Sequence, residues 1–250
     1  MTFKEETINC VQELKYKNSN RVSPFRLVYT AFDYASNESH KKLLNKVFAK
    51  GEALAKAVNP AASNNATHPR EKEQILNNAA AGLLAEYCWK KYLNQKAGRD
   101  IVDYTEFTAA SAQIDLVVLS NEKRIEVRSS FPRIGITFSI CHKEKEFDIL
   151  GPYSNSVKPG EVQKDFYTRT LFHIPEGRSF LEVAKKDNFK VYLTGGATWD
   201  MMTDDAVSKE KTLRPHDAVA AAAYQESKFR VVPFSKALDT IEIFNLINQE

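Results

Sequence analysis

The sequence predicts an α/β fold, a mixed central β-sheet flanked by helices, preceded by a helical N-terminal region over residues 1–69, with the α/β core over 70–250. Three observations carry this expectation. Segments with the apolar spacing of a helix alternate with short β-type runs. Residues 113–130, QIDLVVLSNEKRIEVRSS, read as two strands joined by a polar turn. At 250 residues and 43% hydrophobic, the chain can bury a substantial core, most simply as one unit with helical additions.

Along the first 70 residues, Phe25, Val28, Tyr29 and Phe32, then Leu43, Leu44, Val47, Phe48 and Leu54, follow the i, i+3, i+4, i+7 spacing and predict helices. Ser23-Pro24 suits an N-cap followed by proline at the opening helical position. The stretch from Asn59 to Asn65 and the pair His68-Pro69 break the pattern and mark a loop between helices. Beyond it Leu76, Ala79, Ala80, Leu83, Leu84 and Tyr87 fall on one stripe of a long helix, and Glu86 lies roughly 90° from the stripe's centre, at the edge of the buried face.

In the first run of the carboxylate segment, Asp115 interrupts Ile114, Leu116, Val117, Val118 and Leu119, a stretch apolar enough for a strand covered on both faces. A carboxylate there needs a compensating partner. The two-residue period of the second run puts Arg124, Glu126, Arg128 and Ser130 on one side, with Ile125 and Val127 on the other. Ser120, Asn121 and Glu122 are turn-compatible, so the runs can pair as a hairpin that brings Asp115 near Glu126. Two such carboxylates suit Mg²⁺, which takes oxygen ligands.

Further on, residues 135–140 and 165–173 read as strands, separated by the Gly- and Pro-containing segment GPYSNSVKPGEVQK, an exposed loop able to approach a ligand. Residues 180–186 suggest a short helix, 190–194 a strand ending in a turn at Gly195-Gly196, and 218–223 a helical piece. Residues 229–232 and 237–247 complete the alternation.

Asp115, ten intervening residues, then Glu126-Val127-Arg128 resembles the PD-(D/E)XK, or restriction-endonuclease-like, nuclease superfamily. The resemblance implies a restriction-endonuclease-like sheet and Mg²⁺, or Mn²⁺ in its place, held by Asp115 and Glu126. It implies Glu86 as the acid that an upstream helix often adds. It also implies double-stranded DNA as partner and phosphodiester hydrolysis as the activity, in a type II restriction or other defence enzyme. The chain departs from the pattern at Arg128, where the family usually has lysine. Arginine stays protonated and cannot take a proton from water, but it can stabilise charge on the scissile phosphate. Lys123 and Lys164 are the candidates to replace the missing lysine. Ser129, Ser130 and Arg133, which continue the strand of Glu126, are the expected DNA contacts.

Each reading has a plainer competitor. Arg124 and Arg128 are ready ion-pair partners for Glu126, and Glu86 can pair with Lys90 at i+4. Arg128 also motivates a non-catalytic DNA-binding or assembly protein on the same scaffold, and a structural α/β protein with ion-paired carboxylates is the third reading. A net charge of +3 and a pI near 8.6 are too mild for binding DNA by charge alone. Cutting both strands of a symmetric site favours a homodimer.

No apolar run approaches a membrane span and the N-terminus lacks the apolar core of a signal peptide, so a soluble, cytoplasmic protein without membrane partners is expected. Cys10, Cys88 and Cys141 are widely spaced and odd in number, suggesting neither a disulfide framework nor a zinc cluster. The five histidines show no ligand spacing, and neither a P-loop nor a G-x-S-x-G elbow occurs.

Overall fold

A computed structural model describes residues 1–10, 24–57, 72–105, 115–132, 134–142, 148–154, 161–175, 177–213 and 227–249. In chain order the elements are β1 (Lys4–Ile8), β2 (Phe25–Asp33), α1 (Glu38–Ala57), α2 (Lys72–Ala97), β3 (Val102–Tyr104), β4 (Leu116–Val118), β5 (Arg124–Ser130) and α3 (Ile136–Cys141). They continue with β6 (Ile149–Ser154), β7 (Phe166–His173), α4 (Phe180–Lys186), β8 (Asn188–Thr198), α5 (Trp199–Thr203), β9 (Lys209–Leu213), β10 (Ser227–Val232) and α6 (Thr240–Gln249). Seven strands form a mixed sheet in the order β1-β2-β8-β7-β5-β4-β3, and β6, β10 and β9 form a smaller one. In the large sheet β5 and β7 run parallel, while the other neighbours are antiparallel.

The expected α/β class therefore holds, but the helical N-terminal region does not. β1 and β2 belong to the sheet, with β2 paired to β8 near its centre. Phe25, Leu27 and Tyr29 face one core and Val28 and Phe32 the other. The segment FRLVYTAFD is apolar on both sides, so its i, i+4 pair Val28/Phe32 satisfies the strand period as well as the helical one. Burial on two faces then favours the β-branched and aromatic residues as strand. α1 is helical as predicted, and Asn37 caps it by accepting from the His40 N–H at 3.1 Å.

Two other expectations change. Residues 136–141 form a helix, with Ile136 and Ile140 one turn apart in the core, where a strand was expected. β8 runs through Gly195 and Gly196 instead of turning there, and Gly196 bridges to Leu238. The predicted loop between helices and the helical piece at 218–223 lie outside the described residues.

The sheet separates two cores. α1, α2, α4 and α6 cover one face around Trp89, Leu84 and Phe180, whereas α3, α5 and the small sheet cover the other around Phe25, Tyr167 and Phe234. On the second side Cys10 and Cys141 are joined by a disulfide that spans 131 residues of sequence, correcting the expectation that the cysteines are unpaired.

Two local devices orient the helix that matters for the site. Trp89 Nε1 donates to Thr170 Oγ1 at 3.0 Å, fixing α2 to the middle of β7. At the end of α2, Asn94 Oδ1 accepts from the Ile101 and Val102 N–H groups at 2.9 and 3.0 Å, so helix and β3 leave the turn in a set relation.

Candidate active site

The hairpin expected at residues 113–130 is present: Leu116 pairs with Ile125 and Val117 with Arg124. Continuing that count by one residue sets Asp115 opposite Glu126. The Val127 N–H donates to Asp115 Oδ2 at 2.7 Å, which fixes the carboxylate against β5. Both acids are buried, each at 8% exposure, which is expensive for ionised groups and demands compensation.

For Glu126 the compensation is explicit. Arg128 Nη2 lies 2.9 Å from its Oε1 and Lys164 Nζ 3.2 Å from its Oε2. Lys164 comes from the residues just before β7, and the parallel register that sets Glu126 beside Tyr167 brings it alongside. The Lys164 N–H donates to the Tyr167 hydroxyl at 3.2 Å, which holds the approach to the strand. Arg128 is shared: the same Nη2 reaches Glu161 Oε2 at 2.7 Å, and its guanidinium lies 5.5 Å from the centre of the Tyr153 ring. Burial works against the charge on Arg128, but Glu126 and Glu161 together keep it firmly protonated. Two carboxylates thus hold the arginine that the sequence suggested for a scissile phosphate.

Glu86 approaches from α2. Ile125 and Val127 share a core with that helix, so Glu126 points to the opposite face of β5. Glu86 and Asp115 both line a cavity of about 420 Å³ enclosed by α1, α2 and the end of β3. Lys90 pairs with Asp103, so the simple i+4 partnership with Glu86 is not formed. Desolvation first, then the charges of Asp115 and Glu126, push Glu86 well above the usual carboxylate range, with Lys50 opposing. Asp115 is pushed up to about 7 by burial and by Glu126, against the Val127 N–H, Arg128 and Lys164.

The other sequence-predicted residues are dispersed. Ser130 Oγ accepts from Arg169 Nη2 at 2.7 Å, and Ser129 is half-buried in β5. Arg133 lies outside the described residues. Lys123 sits over the Phe166 ring, 6.0 Å from its centre, which leaves Lys164 as the lysine on Glu126. Glu161, Lys46 and Lys50 escaped the sequence reading, because nothing local in a Gly- and Pro-containing loop or on a helix face announces a partner in another element. Arg169, buried beside Arg128 on the neighbouring strand, also escaped it; burial pulls its guanidinium down to about 9.

Among the described residues, no group of three or more His, Cys, Asp and Glu side chains is arranged to hold a metal ion. Mg²⁺ does not require such a group, since it commonly takes one or two carboxylates and completes its shell with water and substrate oxygen. The pair Asp115 and Glu126 offers only oxygen donors, the type that cation takes, with both Glu126 oxygens engaged by Arg128 and Lys164.

The fold and site define an α/β protein with a buried cluster of acids and cations on two strands of a mixed sheet. Over 241 residues the chain is 27% identical to a Methanocaldococcus jannaschii protein described as uncharacterized protein MJECS01, covering 83% of this chain and 82% of that one. No protein-family model matches the chain, and no solved structure does. No helix among the described residues is long and apolar enough to cross a membrane.

Proposed function

We propose that this protein is a Mg²⁺-dependent DNA endonuclease of the PD-(D/E)XK type, with a restriction-endonuclease-like core and a role in restriction or other defence. The observation that carries the reading is Lys164. Arg128 occupies the position where the superfamily usually has lysine, and a buried lysine from just before the neighbouring strand stands on the same Glu126, 3.2 Å from Oε2. The order helix-borne Glu86, strand-start Asp115, then Glu126 on the paired strand of a mixed sheet supports the same reading.

Asp115 and Glu126 would hold the ion, with Glu86 assisting through a water. The ion supplies positive charge and Lewis acidity to the phosphodiester. Lys164 orients the Glu126 carboxylate and presents donors to the attacking water or the phosphate. Arg128, tied between Glu126 and Glu161, positions Glu126 and contributes a fixed positive field in a dry site. Asp115 accepts from the Val127 N–H, which fixes its carboxylate against β5.

The test is divalent-dependent cleavage of varied duplex DNA by wild type, Asp115→Asn, Glu126→Gln and Lys164→Met, with melting curves in Mg²⁺ or Mn²⁺. The expected result is cleavage by wild type alone and a cation-dependent rise in melting temperature that Asp115→Asn lacks. A wild type that cuts nothing and gains no stability from either cation would sink the proposal. The alternative, a non-catalytic DNA-binding or assembly protein, is favoured by the engagement of Arg128 with two carboxylates, and it predicts DNA retention without any divalent ion.

A further inference from the structure

The cavity beside Asp115 has more than an acidic floor. Its volume of about 420 Å³ falls in the small-ligand range, roughly 300–1,000 Å³. Lys46 and Lys50 of α1 line one wall, four residues apart and so on one face of the helix. Both are exposed, and neither forms an ion pair with another described residue. The lining also includes Tyr87 of α2 and Tyr104 at the end of β3, the latter 42% exposed and with Lys90 Nζ 4.5 Å from its ring centre. Leu43, Val47 and Leu83 supply apolar surface between.

Two cations, two aromatic rings, an apolar lining and two acids in one cavity make a combination with a specific complement. A phosphate suits the lysines, and the flat face of a base suits tyrosine and leucine. A base inside a duplex offers no face, because its neighbours cover both sides. An unpaired nucleotide offers everything the walls ask for.

We propose that this cavity receives an unpaired nucleotide of a DNA strand, its phosphate held by Lys46 and Lys50 and its base against Tyr87 and Tyr104. The next phosphodiester then lies at Asp115. This rests on the nuclease reading and narrows its substrate to single-stranded DNA, overhangs or frayed ends. Lys50, close enough to favour charge on Glu86, couples the phosphate wall to the acids.

The test is fluorescence anisotropy in the absence of divalent ions with three labelled probes: a short single strand, the blunt duplex of the same sequence, and that duplex with a single-stranded overhang. Wild type should bind the first and third at least about tenfold more tightly than the blunt duplex, the size expected for stacking plus phosphate contacts. Lys46→Glu with Lys50→Glu, or Tyr104→Ala, should remove that preference, and the milder Lys46→Gln with Lys50→Gln should halve it or more. All of these are exposed positions whose substitution leaves the core intact. Equal affinity for all three probes, or a preference untouched by every substitution, overturns the proposal. Cleavage separates the two claims. Asp115-dependent cutting of blunt duplex with no binding preference removes the cavity's role and leaves the nuclease reading standing. A preference abolished by the lysine and tyrosine substitutions, in a protein that cuts nothing, removes the nuclease reading and keeps the cavity.

Discussion

Lys164 and Glu126 meet at 3.2 Å although 38 positions separate them, and both are buried. The contact exists because β7 lies parallel to β5, so the residues entering β7 arrive beside the start of β5. Lys164→Met preserves volume and removes one of two cations on Glu126, while Arg128 remains at 2.9 Å. A charged hydrogen bond of this kind contributes about 1.5–3 kcal/mol. Urea unfolding of Lys164→Met should show a loss of that size, and cleavage should fall by more than about 100-fold, the lower range for a general acid or base. Normal cleavage by a folded Lys164→Met variant would remove Lys164 from the site.

The hairpin was legible because its signals are local: alternating polar and apolar residues over 124–128, a polar turn and a lone carboxylate beside an apolar run. Glu86 was legible for the same reason, since helical periodicity alone places it at the edge of the buried face. What escaped depends on distant pairing. β2 satisfied a helical stripe until its neighbours β1 and β8 covered both its edges. Glu161 gains meaning only when the chain between β5 and β7 folds back, and the same fold-back singles out Lys164 from the two lysines the sequence offered. The disulfide required β1 and α3 to meet on one side of the sheet, which the spacing of the cysteines does not encode.

The acids set a pH dependence whose sign follows from linkage. Burial and Glu126 raise Asp115 in the folded protein from the ordinary 3.8 to about 7. Between those values the folded state keeps a proton that the unfolded chain has released. Stability must therefore fall as pH rises across that window, and level off above about 7. Glu86, raised by desolvation and by the same neighbours, acts in the same direction. Without divalent ions, urea midpoints should decrease from pH 5 to pH 8. Asp115→Asn should flatten the trend and be more stable than wild type at pH 8. An equally steep slope in that variant would assign the effect to other groups.

The Cys10–Cys141 bond closes a loop of 131 residues. On the chain-entropy view, a loop of that length constrains the unfolded ensemble by about 5 kcal/mol. Reduction, or Cys10→Ser with Cys141→Ser, should lower the urea midpoint strongly while the carboxylate hairpin, on strands away from β1, keeps its pairing. Melting curves with and without reductant check this: coincident curves would mean that the native contacts around Cys10 and Cys141 already do the work.

Gly195 and Gly196 interrupt no strand, yet neither tolerates a side chain. Gly195 has φ +83° and a Cβ there would fall 2.1 Å from the Leu238 carbonyl oxygen, while at Gly196 it would fall 2.4 Å from that of Tyr167. Both obstacles are backbone, so nothing can swing aside. The positive φ alone costs about 1–3 kcal/mol for a residue other than glycine. The contact would also separate β8 from the bridge at Leu238, next to Asp239, whose carboxylate holds Arg26 at 2.6 Å and caps α6 through the Ile241 and Glu242 N–H groups. Gly195→Ala should therefore destabilise by more than the conformational cost, lowering the melting temperature by several degrees or leaving the protein insoluble. Gly82, on α2 with no atom within 4 Å of an added Cβ, is the control, because alanine there should stabilise the helix by about 0.5–1 kcal/mol. If Gly195→Ala melts with wild type, the close approach of Leu238 to β8 does not exist in solution, and α6 is anchored to the sheet by Asp239, by Thr240 Oγ1 donating to the Leu193 carbonyl and by its core side chains.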